Sequence, residues 1–351
     1  ISFDRSTPRL VEPDTEDNLH QFFLDNHWTD TLPIVLPTEE RVQAMLKGTS
    51  HKPDEVVGHM RPTGFREFWE FTVEKVAVNA VMAGCKPEYL PVLLALASTG
   101  ASARASTTSS AAAMAVVNGP IRHELKMNSG IGAMGPYNHA NATIGRAWGL
   151  LSQNCQGGSE PGLTYLGSQG NNYAYTSITY AENEERSPWE PLHVQHGFKA
   201  DESAVSPFGG CRSTAFTLGI HEKYWQQHVR NLLRGMDPHN PPCYVLDPIT
   251  ARQFVDRGIK TKQELIAWTH ENALMPAGEY WSYQLIQNYV YPRATYGEEP
   301  YATMLKAKPD ELVHMYEPHE IQIVVVGGET NGYWRIMGAG FRGTTSVDKW
   351  R

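Results

Sequence analysis

The stretch Cys243-Tyr-Val-Leu-Asp-Pro-Ile-Thr250 joins a short apolar run to a Pro-containing turn, and an amphipathic helix is predicted to follow over Ala251–Arg257. Three other runs share the pattern of a strand-like segment that ends in Pro, Gly or Thr: Leu32–Thr38, Ala115–Pro120 and Ile321–Glu329. This repetition of strand, turn and helix predicts an α/β fold with mainly parallel sheets flanked by helices.

Other segments depart from this pattern. Residues 160–215 carry few helical signals, and Asn172–Tyr180 alternates in a way that predicts an antiparallel strand in a loop-rich region. Thr72–Ala83 and Pro87–Ser98 are apolar at helical spacing and predict a buried helical hairpin. The small-residue tract Ala97–Ala113 fits either tight backbone packing or a mobile loop over a site.

Changes of composition along the chain predict three parts. Residues 1–32 are polar and form an arm, residues 33–235 form a larger α/β domain, and residues 236–351 form a second α/β unit. The second boundary is placed at the Pro-rich stretch Arg234–Pro242.

The overall composition restricts the function classes. The net charge is −8 and charged residues make up 19% of the chain, which excludes a basic nucleic-acid-binding surface or a polybasic membrane binder. No apolar run reaches the roughly 18 residues of a membrane span. The four cysteines form no C-x-x-C pair, which favours free thiols in a reducing cytoplasm over a zinc ribbon or a disulfide framework.

A glycine-rich loop, Gly130-Ile-Gly-Ala-Met-Gly135, has the spacing of a dinucleotide-binding fingerprint. The context is wrong, because the preceding strand is predicted to end near Val117 and no acidic ribose ligand follows, so neither a nicotinamide nor a flavin cofactor is expected. The loop does precede a predicted helix, whose free N–H groups could hold an anion. The predicted substrate-binding residues here are Ser129, Gly130, Gly132 and Arg146.

The end of the last predicted strand is a second candidate for substrate binding. Paired glycines at Gly327–Gly328 allow a ligand to approach the backbone, and Glu329 and Asn331 supply a carboxylate and an amide. A tight turn with a surface carboxylate explains the same residues.

The richest polar cluster lies between residues 182 and 196. Glu182, Glu185 and His193 are candidate acid/base groups, and His193 with His196 could bind a transition-metal ion. The prolines and glycine around the two histidines favour a loop over a helix, which weakens the metal interpretation. Surface histidines and solvated carboxylates are the alternative.

Cys211 follows two glycines, and Arg212 follows it directly. A helix predicted from about Thr214 would lower the pKa of the Cys211 thiol, which makes Cys211 a candidate nucleophile and Arg212 a candidate substrate-binding residue. Cys85, beside Lys86, has similar neighbours. A buried, unreactive thiol is the alternative in both cases.

Several segments resemble a bacterial family of poorly defined activity, related to the large part of the UGSC (seleno)proteins. Those proteins are named for a selenocysteine-Gly-Ser-Cys or Cys-Gly-Ser-Cys motif. The segments are Thr31–Val42, Thr72–Pro91, Asn141–Arg146, Glu182–Glu185 and Ser346–Arg351. The present chain has no C-G-S-C motif, and the nearest match is Gly-Gly-Cys-Arg-Ser around Cys211. The resemblance therefore implies a hetero-oligomer in which a separate small subunit carries the reactive thiols.

Three functions follow as hypotheses. The first is an enzyme subunit that cleaves a bond in a small polar or anionic organic molecule with help from a thiol or a metal, the thiols being supplied by a partner subunit. The second is a metal-dependent hydratase or hydrolase, for example of a nitrile. The third is a non-catalytic scaffold or binding subunit.

Overall fold

The computed structural model describes residues 11–60, 69–104, 111–156, 167–212 and 214–351. The α-helices in these ranges are α1 (Glu16–Asp25), α2 (Glu39–Leu46), α3 (Val73–Met82), α4 (Leu90–Ser98), α5 (Ile121–Glu124), α6 (His139–Cys155), α7 (Leu192–Gln195), α8 (Trp225–Arg234), α9 (Pro248–Asp256), α10 (Lys262–Asn272), α11 (Ala277–Tyr280), α12 (Tyr291–Thr295) and α13 (Tyr301–Met304). Short 3-10 helices cover Pro87–Tyr89, Asn172–Tyr175, Pro318–Glu320 and Asp348–Trp350, and Ile286–Val290 is π-helical.

The strands in the same ranges are β1 (Val56–His59), β2 (Glu70–Thr72), β3 (Ala112–Asn118), β4 (Thr179–Ala181), β5 (Ala204–Cys211), β6 (Thr214–Leu218), β7 (Pro242–Leu246), β8 (Leu274–Pro276), β9 (Leu312–His314), β10 (Gln322–Val325), β11 (Tyr333–Gly338), β12 (Gly340–Phe341) and β13 (Thr345–Ser346). One sheet has the order β12-β5-β3-β4, with β13 also paired to β5. The second has the order β10-β7-β11-β6. Two-stranded sheets join β1 to β2 and β8 to β9.

The α/β class is confirmed, but the sheets are mixed rather than mainly parallel. Among the described strands, only β3 with β4 and β7 with β10 pair in parallel. A parallel neighbour requires a long crossover connection. The loop between β10 and β11 is too short for one, so β11 runs antiparallel to β7.

The predicted helical hairpin is confirmed as α3 and α4, and every α4 residue from Leu90 to Ala97 is buried. The prediction for Asn172–Tyr180 was wrong, because the segment contains a 3-10 turn and then β4, which is parallel to β3. The antiparallel strand of this region is β5. Residues 105–110 of the small-residue tract, and residues 160–166 and 213 of the loop-rich region, lie outside the described ranges.

Strand pairing joins segments that lie before and after the predicted boundary at residue 235. Strand β6 lies before this position and pairs with β11, whereas β13 lies after it and pairs with β5. The predicted N-terminal arm packs on α6, where the Gln153 amide donates to the backbone oxygens of His27 and Thr29. The three-part division remains a prediction. No helix in the described part of the chain is long and apolar enough to cross a membrane.

Candidate functional site

Glu182 lies at the carboxyl end of β4 and is fully buried. One carboxylate oxygen accepts hydrogen bonds from Asn118 Nδ2 at 2.6 Å and from the Leu192 N–H at 2.7 Å. The other lies 3.3 Å from Lys262 Nζ and 3.3 Å from the Val325 nitrogen. Because both oxygens are occupied by donors from several elements, Glu182 ties the two large sheets together and leaves no oxygen directed at solvent.

Arg122 forms ion pairs with two further acidic residues at this end of the strands, Glu184 and Glu185. Its Nε lies 3.0 Å from Glu184, and its Nη2 lies 2.9 Å from Glu185. Hydrogen bonding to Arg122 lowers the pKa of Glu185 to about 2. Glu185 is therefore a carboxylate at neutral pH and cannot donate a proton as a general acid.

His193 is fully buried beside these carboxylates. Neither ring nitrogen makes a hydrogen bond of normal geometry. Burial lowers the pKa of His193, and the negative charges of Glu184 and Glu182 oppose that shift only in part. His193 is consequently a neutral imidazole held away from solvent.

The two predicted metal ligands have separate surroundings. The sequence favoured a loop here, but Leu192–Gln195 forms one helical turn, which starts directly after Pro191 because proline is well tolerated before the first turn. His196 bonds through Nε2 to Gln322 Oε1 at 2.9 Å and stacks on Phe341 at 4.3 Å. Within the described ranges, no group of three or more His, Cys, Asp or Glu residues is placed to hold a metal ion.

The buried His193 gives a prediction for pH. Because its pKa in the folded protein lies below the ordinary value of 6.5, the unfolded chain takes up the proton first as the pH falls. Stability is thus retained above pH 6.5 and is lost as the pH falls below it. We expect His193→Leu to reduce this acid-side loss, measured by urea unfolding at pH 7.5 and 5.5. The exposed His319→Leu is the control, and an unchanged pH dependence in His193→Leu would contradict the assignment.

The cysteine prediction needs correction. Thr214 begins strand β6 rather than a helix, so no helix N-terminus faces Cys211. Burial raises the pKa of the Cys211 thiol to about 12 and that of Cys85 to about 12. Both residues are therefore protonated thiols at neutral pH, and the conditions for a thiolate nucleophile are absent at these two positions.

Arg146 and the glycine-rich loop do not form one anion site. The Arg146 guanidinium binds both carboxylate oxygens of Asp30, at 2.9 and 2.8 Å, and also contacts backbone oxygens, so its donors anchor the N-terminal arm. The loop instead meets the Gly327 turn, whose N–H donates to the Ser129 oxygen at 2.8 Å. Gly130 and Gly132 belong to the same loop, which is exposed at Gly132.

Glu329 is already paired at the end of β10. Arg186 lies 3.4 Å from its carboxylate, and Arg252 forms a second ion pair with it. Asn331, two positions on, is exposed. The geometry brings Ser129 and Glu329 to the same edge of the molecule, because Gly327 contacts the Ser129 loop, and the two arginines described there, Arg186 and Arg252, are both paired with Glu329.

Arg212 has a different environment, at the opposite end of the strands. Cys211 pairs with Ala112, the first residue of β3, so Arg212 lies far along the strands from Asn118 and Glu182. Arg212 lines an open cleft of about 490 Å³ together with the segment Gln169–Asn172. Its guanidinium is exposed and makes no hydrogen bond or ion pair with any described residue.

A second arginine lies nearby, beside Gly209. Arg342 is exposed, and its guanidinium also has no carboxylate partner in the described ranges. A Cβ at Gly209 would lie 3.2 Å from Arg342 Nε, so the glycine makes room for this side chain. Gly210 has φ +75°, a conformation that favours glycine, and its oxygen accepts from Asn240 Nδ2 at 2.8 Å.

His239 lies near both arginines, whose charges act on its ring, although neither His239 nor Arg342 lines the cleft itself. We call the group formed by the cleft and these neighbours the arginine cleft: Gln169–Asn172, Arg212, His239 and Arg342. The ring is half-buried, stacks on Tyr289 at 5.1 Å, and makes no hydrogen bond with any described residue. Burial lowers the pKa of His239, the nearby Asp237 opposes this, and the positive charges of Arg212 and Arg342 lower it further. The cleft thus combines surplus positive charge with a neutral imidazole.

No protein-family model, curated protein or solved structure matches this chain.

Sequence reasoning identified Arg212 but missed His239 and Arg342. His239 lies in the Pro-rich stretch that was interpreted only as a boundary, and Arg342 lies between Gly340 and Gly343 near the end of the chain. Glycines flanking an arginine were the available signal. Lys262, which pairs with the buried Glu182, and Arg122, which pairs with Glu184 and Glu185, gave no sequence signal, since each lies in an ordinary helix.

Proposed function

We propose that the protein is an enzyme subunit that binds a small organic anion in the arginine cleft. The observation that carries the proposal is that Arg212, which lines an open polar cleft, and the nearby Arg342 have no carboxylate partner in the described part of a chain of net charge −8. Arginine side chains in folded proteins are usually paired, and a guanidinium matches the planar geometry of a carboxylate.

The other residues of the cleft suit the same ligand. The exposed Asn172 amide, which lines the cleft, can bond to oxygen or nitrogen groups on the body of the molecule. His239 is neutral and can accept a proton from the ligand or from a water molecule beside it. The combination supports general-base chemistry on an anchored anion.

The proposal also includes bond cleavage assisted by a thiol or a metal, which this chain would not supply by itself. The thiols of Cys85 and Cys211 have pKa values of about 12, so a sulfur nucleophile would come from another chain. A small thiol-bearing subunit in the cytoplasm, or a transition-metal ion held partly by that subunit, would supply this chemistry. Mixing the chain with such a subunit would be the test of this step.

A ligand panel tests anion binding directly. Thermal unfolding is followed with acetate, succinate, citrate, inorganic phosphate and succinamide, the last being a neutral match for succinate. A ligand at about 100 times its Kd stabilises the folded state by about 2.7 kcal/mol. We expect at least one carboxylate to raise Tm, with an effect that weakens at high salt, and succinamide to have no effect.

Two results of the panel would contradict the proposal. Equal stabilisation by succinate and succinamide would remove the role of charge, and no stabilisation by any carboxylate would favour a non-catalytic scaffold. Stabilisation by phosphate alone would retain an anion site but exclude a carboxylate as its ligand.

A further inference from the structure

A β-bulge lies at the end of β5, next to the arginine cleft. Two residues of β5, Gly209 and Gly210, lie opposite the single β3 residue Ala113, which is the arrangement that defines a bulge. Both glycines are half-exposed, and Gly210 has φ +75°. Because neither residue has a side chain, a ligand can approach the backbone of the bulge closely.

Each glycine of the bulge lies beside one of the two arginines. A Cβ at Gly209 would lie 3.2 Å from Arg342 Nε, and a Cβ at Gly210 would lie 3.9 Å from Arg212 Nη2. Since consecutive Cα atoms are about 3.8 Å apart, both guanidinium groups border the same short piece of backbone. The bulge therefore connects Arg342 to the cleft that Arg212 lines, and a short ligand lying on it can reach both side chains.

We propose that the ligand of the arginine cleft is a dicarboxylate that lies over the Gly209–Gly210 bulge, with one carboxylate on Arg212 and the other on Arg342. This inference rests on the proposed binding of a small organic anion and names the class of that anion. A guanidinium binds one carboxylate through two parallel N–H donors, so two separate arginines suit two separate carboxylates.

The charges around His239 also favour a ligand with two negative groups. Arg212, Arg342 and Arg293 all act on this ring, and Arg293 already has a carboxylate partner of its own. Asp237 acts on the ring too, but its carboxylate accepts from the His239 backbone N–H at 2.9 Å and forms no ion pair with any described residue. A dicarboxylate would compensate both remaining cations, whereas a monocarboxylate would leave one of them without a partner.

Isothermal titration calorimetry tests the proposal with succinate, glutarate and adipate, each compared with its own monoamide. The monoamide keeps the length of the diacid and one of its charges, and it replaces the second carboxylate by a neutral amide. For the diacid that binds best, we expect the wild-type chain to bind the monoamide about 10- to 100-fold more weakly, because one charge-assisted contact to an arginine is lost.

The arginine variants show whether each carboxylate has its own partner. In Arg212→Ala and in Arg342→Ala we expect the diacid and the monoamide to differ by less than about threefold, because one arginine remains to bind one carboxylate. Both side chains are exposed, and circular dichroism checks that the variants are folded. Arg186→Ala is the control, since Arg186 is paired with Glu329 at the opposite end of the strands, and it should keep the wild-type ratio.

Two results would overturn the dicarboxylate while leaving anion binding intact. One is equal affinity of the wild-type chain for the diacid and its monoamide, which means that a single carboxylate is bound. The other is a wild-type ratio that persists in either arginine variant. Failure of the proposed function gives a different result, because then neither the diacids nor their monoamides bind at all.

Discussion

Replacing Lys262 by methionine should lower the free energy of unfolding by about 3–5 kcal/mol, because it leaves the Glu182 carboxylate as an uncompensated buried charge. Both side chains are fully inaccessible to solvent, and Lys262 Nζ lies 3.3 Å from Glu182 Oε1. Methionine keeps most of the volume of lysine, so the loss arises from charge and not from a cavity. Urea unfolding followed by circular dichroism measures the change.

The double variant Glu182→Gln with Lys262→Met separates the ion pair from its surroundings. It removes both charges while leaving an amide that can still bond to Asn118 and to the backbone, so we expect it to recover a large part of the lost stability. Lys260→Met, two positions earlier and exposed, is the control and should change stability by less than about 0.5 kcal/mol. A Lys262→Met variant as stable as Lys260→Met would show that Glu182 is not held as a buried ion.

The ion pair between Lys262 and Glu182 is an example of a contact that the sequence did not predict. The α3–α4 hairpin was predictable because its apolar residues repeat at helical spacing and Gly84 breaks the repeat. The direction of strands was not, since an apolar run is the same in a parallel and in an antiparallel pair. Contacts such as Lys262 with Glu182 join residues 80 positions apart, and no local pattern encodes them.

The sequence also predicted only part of the candidate site. Residue type placed Glu182, Glu185 and His193 in one cluster, and the structure brings them together around Arg122. Residue type did not reveal that Glu182 is saturated with donors, or that Arg212 and Arg342, which have no carboxylate partner in the described ranges, lie at the other end of the strands. Whether an arginine is paired depends on chain segments far away in sequence: Arg146 has Asp30 as its partner, whereas Arg212 has none in the described ranges.

Replacing Arg212 by alanine should weaken binding of the best carboxylate in the panel by about 10- to 100-fold, since a hydrogen bond to a charged group contributes about 1.5–3 kcal/mol. Arg342→Ala should have a similar effect. Arg212→Lys should be intermediate, because lysine keeps the charge and loses the forked geometry that matches a carboxylate. Isothermal titration calorimetry measures each Kd.

The control for these variants is Arg186→Ala. Arg186 is a surface arginine with 64% of its side chain accessible to solvent. Unlike Arg212 and Arg342, it is paired with a carboxylate, that of Glu329, at the opposite end of the strands. Its removal should leave Kd unchanged. If Arg186→Ala abolished binding while Arg212→Ala and Arg342→Ala bound as tightly as wild type, the ligand would lie at the Ser129 and Glu329 edge instead. A loss confined to Arg212 and Arg342 places the anion in the arginine cleft, where the neutral His239 can act on it.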